Sequence, residues 1–511
     1  MTTGDPTWDA VVVGGGVAGL VAARELAAGG LRTVVLDADS EPGGAVRGHT
    51  VAGLRLDAGA ESFATRGGTV AAYLEDLGLA DRVCLPASHG SWVHLPSGDG
   101  PLPRTGLLGI PSEPFAADVR RTIGLVGALR ASLDRVLPAR VGASATSLGA
   151  LVRARLGARV LDRLVRPVVA GVHASDPDDL DVGAVSPGLP AALRESRSLT
   201  RAVRTLRASA PAGSAVQGLE GGLHVLVDTL VADLRAHGVE VRTGARVRRL
   251  RPSAAGAAPT QPASVPAREA LAAHDDDATR TAPADAYAGG TEHARIAAGG
   301  RDGQTYDVEL DDGTTLRSRR VVLASPVAAD LLAEHAPGRT LPSLDAGAVV
   351  TLVTLVVDAP TLDGAPRGTG VLVARAASDV TAKALTHATA KWPWLARTVP
   401  TGRHVVRLSF GRAGDADRVP DDEDALVDLA LRDASVLLGV GLDRSVLAGS
   451  AVVRWTQALP RPSAAHREAV AQVRAAAAAL PGVAVCGAWT AGNGLASVVP
   501  DARAAATALV A

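Results

Sequence analysis

The residues best suited to chemistry open the chain: Gly14-x-Gly16-x-x-Gly19, directly behind Val11-Val12-Val13 and ahead of a helix-compatible stretch from Val17 to Gly29. In a strand-turn-helix setting Gly14 permits a tight turn, Gly16 lets a pyrophosphate approach the backbone, and Gly19 lets helix and strand pack closely. Amides at the helix start favour the phosphate charge. The run LRTVVLDA, residues 31–38, reads as a second buried strand ending in Asp37, 23 residues past Gly14. A carboxylate there can accept hydrogen bonds from ribose hydroxyls and disfavours a 2′-phosphorylated ribose. Glu41 is its close competitor and Asp39 a weaker one. Gly43-Gly44 allows another close backbone approach.

At the far end, Val485-Cys486-Gly487 leads through Trp489 and Gly492-Asn493-Gly494 to Val499-Pro500-Asp501. Its glycines read either as amides facing a flavin ring, where they favour negative charge on the reduced form, or as an ordinary strand-to-helix loop.

These residues need elements to hold them. Strand, glycine turn, helix and strand form the opening half of a dinucleotide-binding fold. A helix is expected over Thr69 to Leu77, loops with short strands over 86–114, and a helical block from Pro114 to Arg166. A helix at Leu223 to His237 and a strand at Val239 to Thr243 follow. Residues 251–303, rich in Ala, Pro, Gly and Thr, offer no periodic apolar face and are expected to be disordered. The strands flanking them, Val241 to Leu250 and Tyr306 to Leu310, can then be neighbours. RRVVLASP re-enters the first domain, Val349 to Phe410 alternates strands and loops, and Pro500 to Leu509 reads as a terminal helix that starts on proline.

The expected fold class is α/β: a discontinuous Rossmann-like dinucleotide domain, a mixed-sheet substrate domain and a helical subdomain. The first takes residues 1–85, 218–250, 304–330 and 456–511. The second takes 86–113, 167–217 and 331–455, and the third 114–166.

Composition narrows the classes. The 511 residues carry 52 Lys+Arg against 53 Asp+Glu, so nucleic acid or anionic lipid would need a local basic patch to bind. Two cysteines, Cys84 and Cys486, make no disulfide framework and no metal-site spacing, which points to a reducing cytoplasm, with peripheral membrane contact left open. The most apolar stretch, Ala346 to Val357, has strand length and is too short to cross a bilayer as a helix. The HDDD patch at 274–277 lacks the spacing of a calcium loop.

Several segments together resemble the flavin-dependent protoporphyrinogen/coproporphyrinogen oxidase family. They are VVVGGGVAGLVAARELAAGG at 11–30, GAESFATRGG at 59–68, RPVVAGVHASDPDDLDVGA at 166–184, GLEGGLHVLVDTL at 218–230, TAKWPW at 389–394 and GNGLASVVPDARAAATAL at 492–509. The first and last are shared with amine oxidases and carotenoid desaturases, while 166–184 and 389–394 point to porphyrinogen oxidation. The resemblance implies FAD as cofactor and an oxygen-dependent, six-electron oxidation of coproporphyrinogen III to coproporphyrin III in haem biosynthesis, releasing hydrogen peroxide. It further implies that Gly14, Gly16, Gly19, Asp37, Gly43 and Gly44 hold the adenine half of FAD, and that Val247 meets adenine through its backbone. Trp455, Gly487, Val499 and Pro500 then belong to the flavin region. A downstream iron-inserting enzyme is the partner such a pathway suggests.

The chain departs from the family pattern twice. Asp37 stands where glutamate is usual, and Gly67 follows Arg66 where many bacterial relatives carry lysine. Arg66, Arg104 and Arg166 are candidate ligands for substrate propionates, because a guanidinium binds carboxylate in bidentate fashion. His173 is a candidate for the cavity wall, and Lys391-Trp392-Pro393 for shaping a cavity or domain junction. The competing readings are protoporphyrinogen IX oxidation, amine oxidation or desaturation, and a non-catalytic FAD-binding interaction protein.

Overall fold

Short β-branched runs with no alternating polar face fold best as strands covered on both sides, and the first sheet of the computed structural model is made of them. The structure describes residues 8–173, 176–186, 188–208, 216–253, 304–335, 341–342, 349–411, 418–456 and 464–510. Five strands run parallel in the order Glu240–Arg242, Thr33–Leu36, Trp8–Val13, Thr315–Leu323 and Val483–Val485. Helices Val17–Ala28, His224–Ala236 and Leu495–Val510 cover one face. Ala328–Ala333 and Ala464–Ala478 cover the other. Tyr306–Leu310 pairs antiparallel with both Thr315–Leu323 and Val247–Pro252. The strands on either side of residues 254–303 are therefore neighbours. The expectation of disorder for 251–303, with 274–277 inside it, lies outside the described residues except at 251–253, where Arg251 and Pro252 end the strand.

The second sheet runs in the order Leu447–Trp455, Val350–Asp358, Arg403–Phe410, Ala384–His387, Gly370–Val373, Trp92–His94 and Gly100–Pro101. Val350–Asp358 is buried along all but its last residue. Helix Glu423–Leu438 packs on one face of this sheet, and Val51, Leu56, Trp392 and Leu395 pack on the other. The result is a mixed α/β architecture with distinct sheet and helical parts.

The helical part extends beyond Arg166. Val119, Ile123, Leu151, Leu164, Leu189, Leu199 and Val203 share one core, so helices as far as Leu199–Ala208 belong to it. Its centre is polar: Asp134, fully buried, accepts from Arg155 Nε at 2.6 Å and from the amides of Leu199 and Thr200. That carboxylate supplies the acceptors that the start of helix Leu199–Ala208 otherwise lacks.

The terminal helix differs from expectation. It begins at Leu495, not at Pro500, and Pro500 sits inside it. A proline there removes the N–H that would bond the carbonyl four residues back, which is that of Ala496. Thr69 Oγ1 donates to this Ala496 carbonyl at 3.3 Å, so a side chain from another helix replaces the missing donor. Thr69→Val should therefore lower unfolding stability by about 1 kcal/mol. Thr69→Ser should keep most of it, with urea denaturation as the measurement.

Candidate functional site

The strand Trp8–Val13 delivers the chain to Gly14, whose φ of 107° suits glycine. The glycines that follow lack side chains for different reasons. A Cβ on Gly19 would lie 1.8 Å from the Gly14 carbonyl oxygen, so Gly19 sets how closely helix Val17–Ala28 approaches the turn. A Cβ on Gly15 would lie 2.4 Å from Asp37 Oδ2. A Cβ on Gly16 would meet nothing within 4 Å. No contact inside the protein requires glycine there, and Gly16 forms the wall of a cavity of about 730 Å³. Gly16 is also the N-cap of its helix, with no side chain capping it. The helix start, with its partial positive charge, thus borders that cavity.

Gly43 and Gly44 wrap over this turn. The Gly43 amide donates to the Gly15 carbonyl at 2.7 Å, and a Cβ on Gly44 would lie 3.4 Å from Gly16 Cα. Asp37 follows directly on the neighbouring strand Thr33–Leu36, accepting from the Gly15 amide at 2.8 Å and the Asp39 amide at 2.9 Å. Burial pushes its carboxyl above the usual range, against the pull of these amides and of Arg47. Val247 lies on the same wall, as does Trp455, whose Nε1 donates to the Ala58 carbonyl at 3.2 Å. The Arg47 guanidinium stacks 4.9 Å from the Trp455 ring centre.

Gly14, Gly16, Asp37, Gly44, Val247 and Trp455 are therefore brought together around one cavity. Gly19 and Gly43 support it from behind. Gly487, Val499 and Pro500 are not on its wall. Gly487 lies beside the wall residue Ala324, where an added Cβ would be 3.2 Å from the Ala324 carbonyl oxygen. Its amide donates to Asp501 Oδ2, which also accepts from Thr490. Val499 is a core residue of the last helix.

Sequence reasoning missed Gly15, Arg47 and the wall residues Ala324, Ser325 and Pro326. The signal for the last three was present: they follow RRVVL, a strand expected to re-enter the first sheet, and ligands of parallel sheets sit at the carboxyl ends of the strands.

A second polar cluster lies two residues past Gly59. Glu61 Oε1 meets Lys391 Nζ at 2.5 Å, and Oε2 meets Arg407 Nη2 at 3.1 Å. Arg407 also donates to the carbonyls of Gly59 and Asp57. Trp392 leans on Gly218, where an added Cβ would be 2.7 Å from the indole. Segments 59–68, 218–230 and 389–394 thus converge.

The candidate propionate ligands do not converge in the same way. Arg66 is exposed and reaches Ser497 Oγ at 3.4 Å. The side chain of Arg104 is exposed, and its amide donates to Asp118. Arg166 is engaged by Asp162, Asp176 and Asp178, which hold its guanidinium firmly charged against the cost of burial. His173 ends the helix Arg166–His173, and its side chain lies outside what is described. Burial raises both thiols, Cys84 to about 11, which leaves neither as a ready nucleophile. Among the described residues no His/Cys/Asp/Glu group could hold a metal ion.

Burial alone would raise the Glu61 carboxyl, but Lys391 and Arg407 outweigh it and hold it near a pKa of about 2, against 4.5 unperturbed. A depressed carboxyl contributes stability that is present above pH 4.5 and lost as pH falls through the folded value. That contribution is about 3 kcal/mol. Glu61→Gln should lower stability at pH 7 and flatten this acid limb, read by thermal melting between pH 7 and pH 2.

The family model for flavin containing amine oxidoreductase matches residues 17–265 and 266–510. The chain is 26% identical over 516 aligned positions to a coproporphyrinogen III oxidase of Bacillus subtilis, covering 97% of this chain and 96% of that one. It is 29% identical to a protein of the same description from Mycobacterium bovis, covering 98% and 96%. Among solved structures it resembles a candidate protoporphyrinogen oxidase from an Exiguobacterium species, with a TM-score of 0.74 and 22% identity over 99% of this chain and 98% of that one. It also shares the fold of a putrescine oxidase, with a TM-score of 0.60 and 13% identity over 99% and 100%. The chain belongs to the flavin containing amine oxidoreductase family, and its named relatives include bacterial coproporphyrinogen oxidases.

Proposed function

We propose that the chain is an FAD-dependent oxidase that takes coproporphyrinogen III to coproporphyrin III. The observation that carries the cofactor is the bare Gly16 in the cavity wall. Nothing in the protein fills the place of its missing side chain, which leaves room for a phosphate at the uncapped start of helix Val17–Ala28. Asp37 and Val247 both line this cavity, and in this reading Asp37 would meet a ribose and Val247 would face adenine. In this reading the parallel sheet is a Rossmann-like unit assembled from residues 1–85, 218–250, 304–330 and 456–511. When bound, FAD supplies a two-electron acceptor that oxygen can regenerate.

Near-full-length similarity to coproporphyrinogen III oxidases supports the substrate. Six electrons and six protons leave the porphyrinogen in three rounds, and three oxygen molecules become three hydrogen peroxide molecules. The chain's own task is then positioning. The Glu61 cluster fixes segment 57–61 against the second sheet, so the carbonyls bonded by Arg407 and Trp455 stay in register with the cavity. Arg66 and Arg104 are exposed and keep guanidinium donors free, and Arg66, beside Ser497, is the one next to the terminal helix, where it would meet a substrate carboxylate.

Purified protein should be yellow and should turn coproporphyrinogen III into a fluorescent porphyrin with oxygen uptake, faster than it turns over protoporphyrinogen IX. Absence of turnover on both would end the oxidase reading. Gly16→Val separates cofactor from fold: the flavin-free protein should still melt cooperatively, within about 1 kcal/mol of the parent for the poorer N-cap, while flavin retention is lost. Gly19→Ala should instead destabilise the fold itself. Undiminished flavin in Gly16→Val protein would remove the proposed placement of FAD.

A further inference from the structure

Charges inside a folded protein are normally matched, since an unpaired one is costly to take out of water. Around Glu61 they are not. Its carboxylate is the one acidic partner that the described residues give to Lys391 and to Arg407, and the side chains of Glu61, Lys391 and Arg407 are 12%, 18% and 13% exposed. Two cations share one anion. The nearest carboxylate along the chain does not close the gap, because Asp57 accepts from the amides of Leu223 and His224 and meets His224 Nδ1 at 2.9 Å. Its charge is answered by the start of helix His224–Ala236. Arg407 already bonds Glu61 and two carbonyls of segment 57–61, so Lys391 brings a second cation to a carboxylate that has one.

His49, on the strand Gly48–Val51, senses the same surplus. Burial, and after it the cations of Arg407, Arg55 and Arg47, push its ring down to a pKa of about 4 against the pull of Asp57. The local field is positive. It lies close behind the cavity: Arg407 donates to the Gly59 carbonyl at 2.8 Å, and a Cβ on Gly59 would lie 2.2 Å from the Ala45 carbonyl oxygen and 3.2 Å from the Trp455 ring. Ala45 and Trp455 are both wall residues. A single residue separates the guanidinium from the wall.

We propose that the surplus charge of the Lys391–Glu61–Arg407 cluster stabilises the negative charge that a flavin ring bound in this cavity gains on reduction. The inference rests on the FAD reading above. Each round of oxidation moves two electrons and one proton from the porphyrinogen to the ring, releases a second proton to water and leaves the ring with one negative charge. Oxygen then takes both electrons, the ring's proton and one from water, and departs as hydrogen peroxide. A cation held behind the wall acts on the ring through protein and is screened little by salt. Lys391 and Arg407 thus tune the ring from a distance, as charges near a flavin do.

The test is sulfite binding to the flavin-loaded full chain, followed by the flavin absorbance. Sulfite forms one bond to the oxidised ring with its own electron pair and leaves the ring negatively charged, so its affinity measures this stabilisation without turnover. Lys391→Met removes the surplus and should weaken sulfite binding about tenfold, whereas Glu61→Gln doubles the surplus and should tighten binding by a similar factor. Lys391→Arg keeps the charge and should stay within about twofold of the parent. A cluster that only held its segment in place would lose affinity in both Lys391→Met and Glu61→Gln. The two-electron reduction potential should fall in the first and rise in the second, and it decides alone if the parent binds no sulfite. If Glu61→Gln fails to fold, the two Lys391 variants decide. An unchanged Lys391→Met, or shifts of one sign in both variants, overturns the proposal and leaves the FAD reading standing. A parent chain that takes up no flavin overturns both.

Discussion

One carboxylate ties the two sheets together. Glu61 sits between the ammonium of Lys391 and the guanidinium of Arg407, cations that the chain brings from more than 300 residues away. Burying such charges is costly, and a buried ion pair is weak evidence for stability in itself. What it enforces here is position. With both oxygens of Glu61 occupied, Arg407 still donates to the carbonyls of Gly59 and Asp57, and Trp455 takes the Ala58 carbonyl between them. Gly59 then packs against the Ala45 carbonyl so tightly that a Cβ would lie 2.2 Å from it. Ala45 is part of the cavity wall. The second sheet thereby reaches the cavity through backbone held on both sides.

The glycines around the turn show how one residue type answers separate demands. Gly14 serves a backbone conformation, Gly19 a helix-strand approach and Gly15 the carboxylate of Asp37. Each of these would be needed whether or not anything bound. Gly16 alone of the four has an ordinary φ of -68° and free space where its side chain would be. A residue that the fold does not require, placed on the wall of this cavity, is better explained by what lies outside the protein than by what lies within it.

Much of this was legible in the sequence because it is local. The glycine spacing, the strand ending in Asp37 and the paired ends of the 254–303 segment follow from neighbouring residues and from one hydrophobic period. What was not legible depends on tertiary partners. Pro500 reads as a helix start because a proline is costly inside a helix, and the distant Thr69 hydroxyl that donates to the freed Ala496 carbonyl offsets part of that cost. Arg166 resembles a free cation until Asp162, Asp176 and Asp178 close around it. The helical core passes Arg166 for a similar reason. Leu189, Leu199 and Val203 return to the same core from beyond it, and Asp134 holds the returning helix by its amides.

The wall of the cavity has an energetic consequence of its own. It is made from the first turn, the end of the second strand, the start of Val247–Pro252, the loop after Leu323 and the end of Leu447–Trp455. Across it the described contacts between side chains are few: Arg47 with Asp39 at 3.4 Å and Arg47 over Trp455, beside the Asp37 carboxylate that accepts from the Gly15 amide. An exposed ion pair and one cation–π contact together contribute about 1–2 kcal/mol. A dinucleotide touching all these segments would add free energy that grows with the logarithm of its concentration over its dissociation constant, about 4 kcal/mol at a thousandfold excess. The larger share of the cohesion between the two sheets at this wall would then come from the bound molecule, while the Glu61 cluster holds them in register before it arrives.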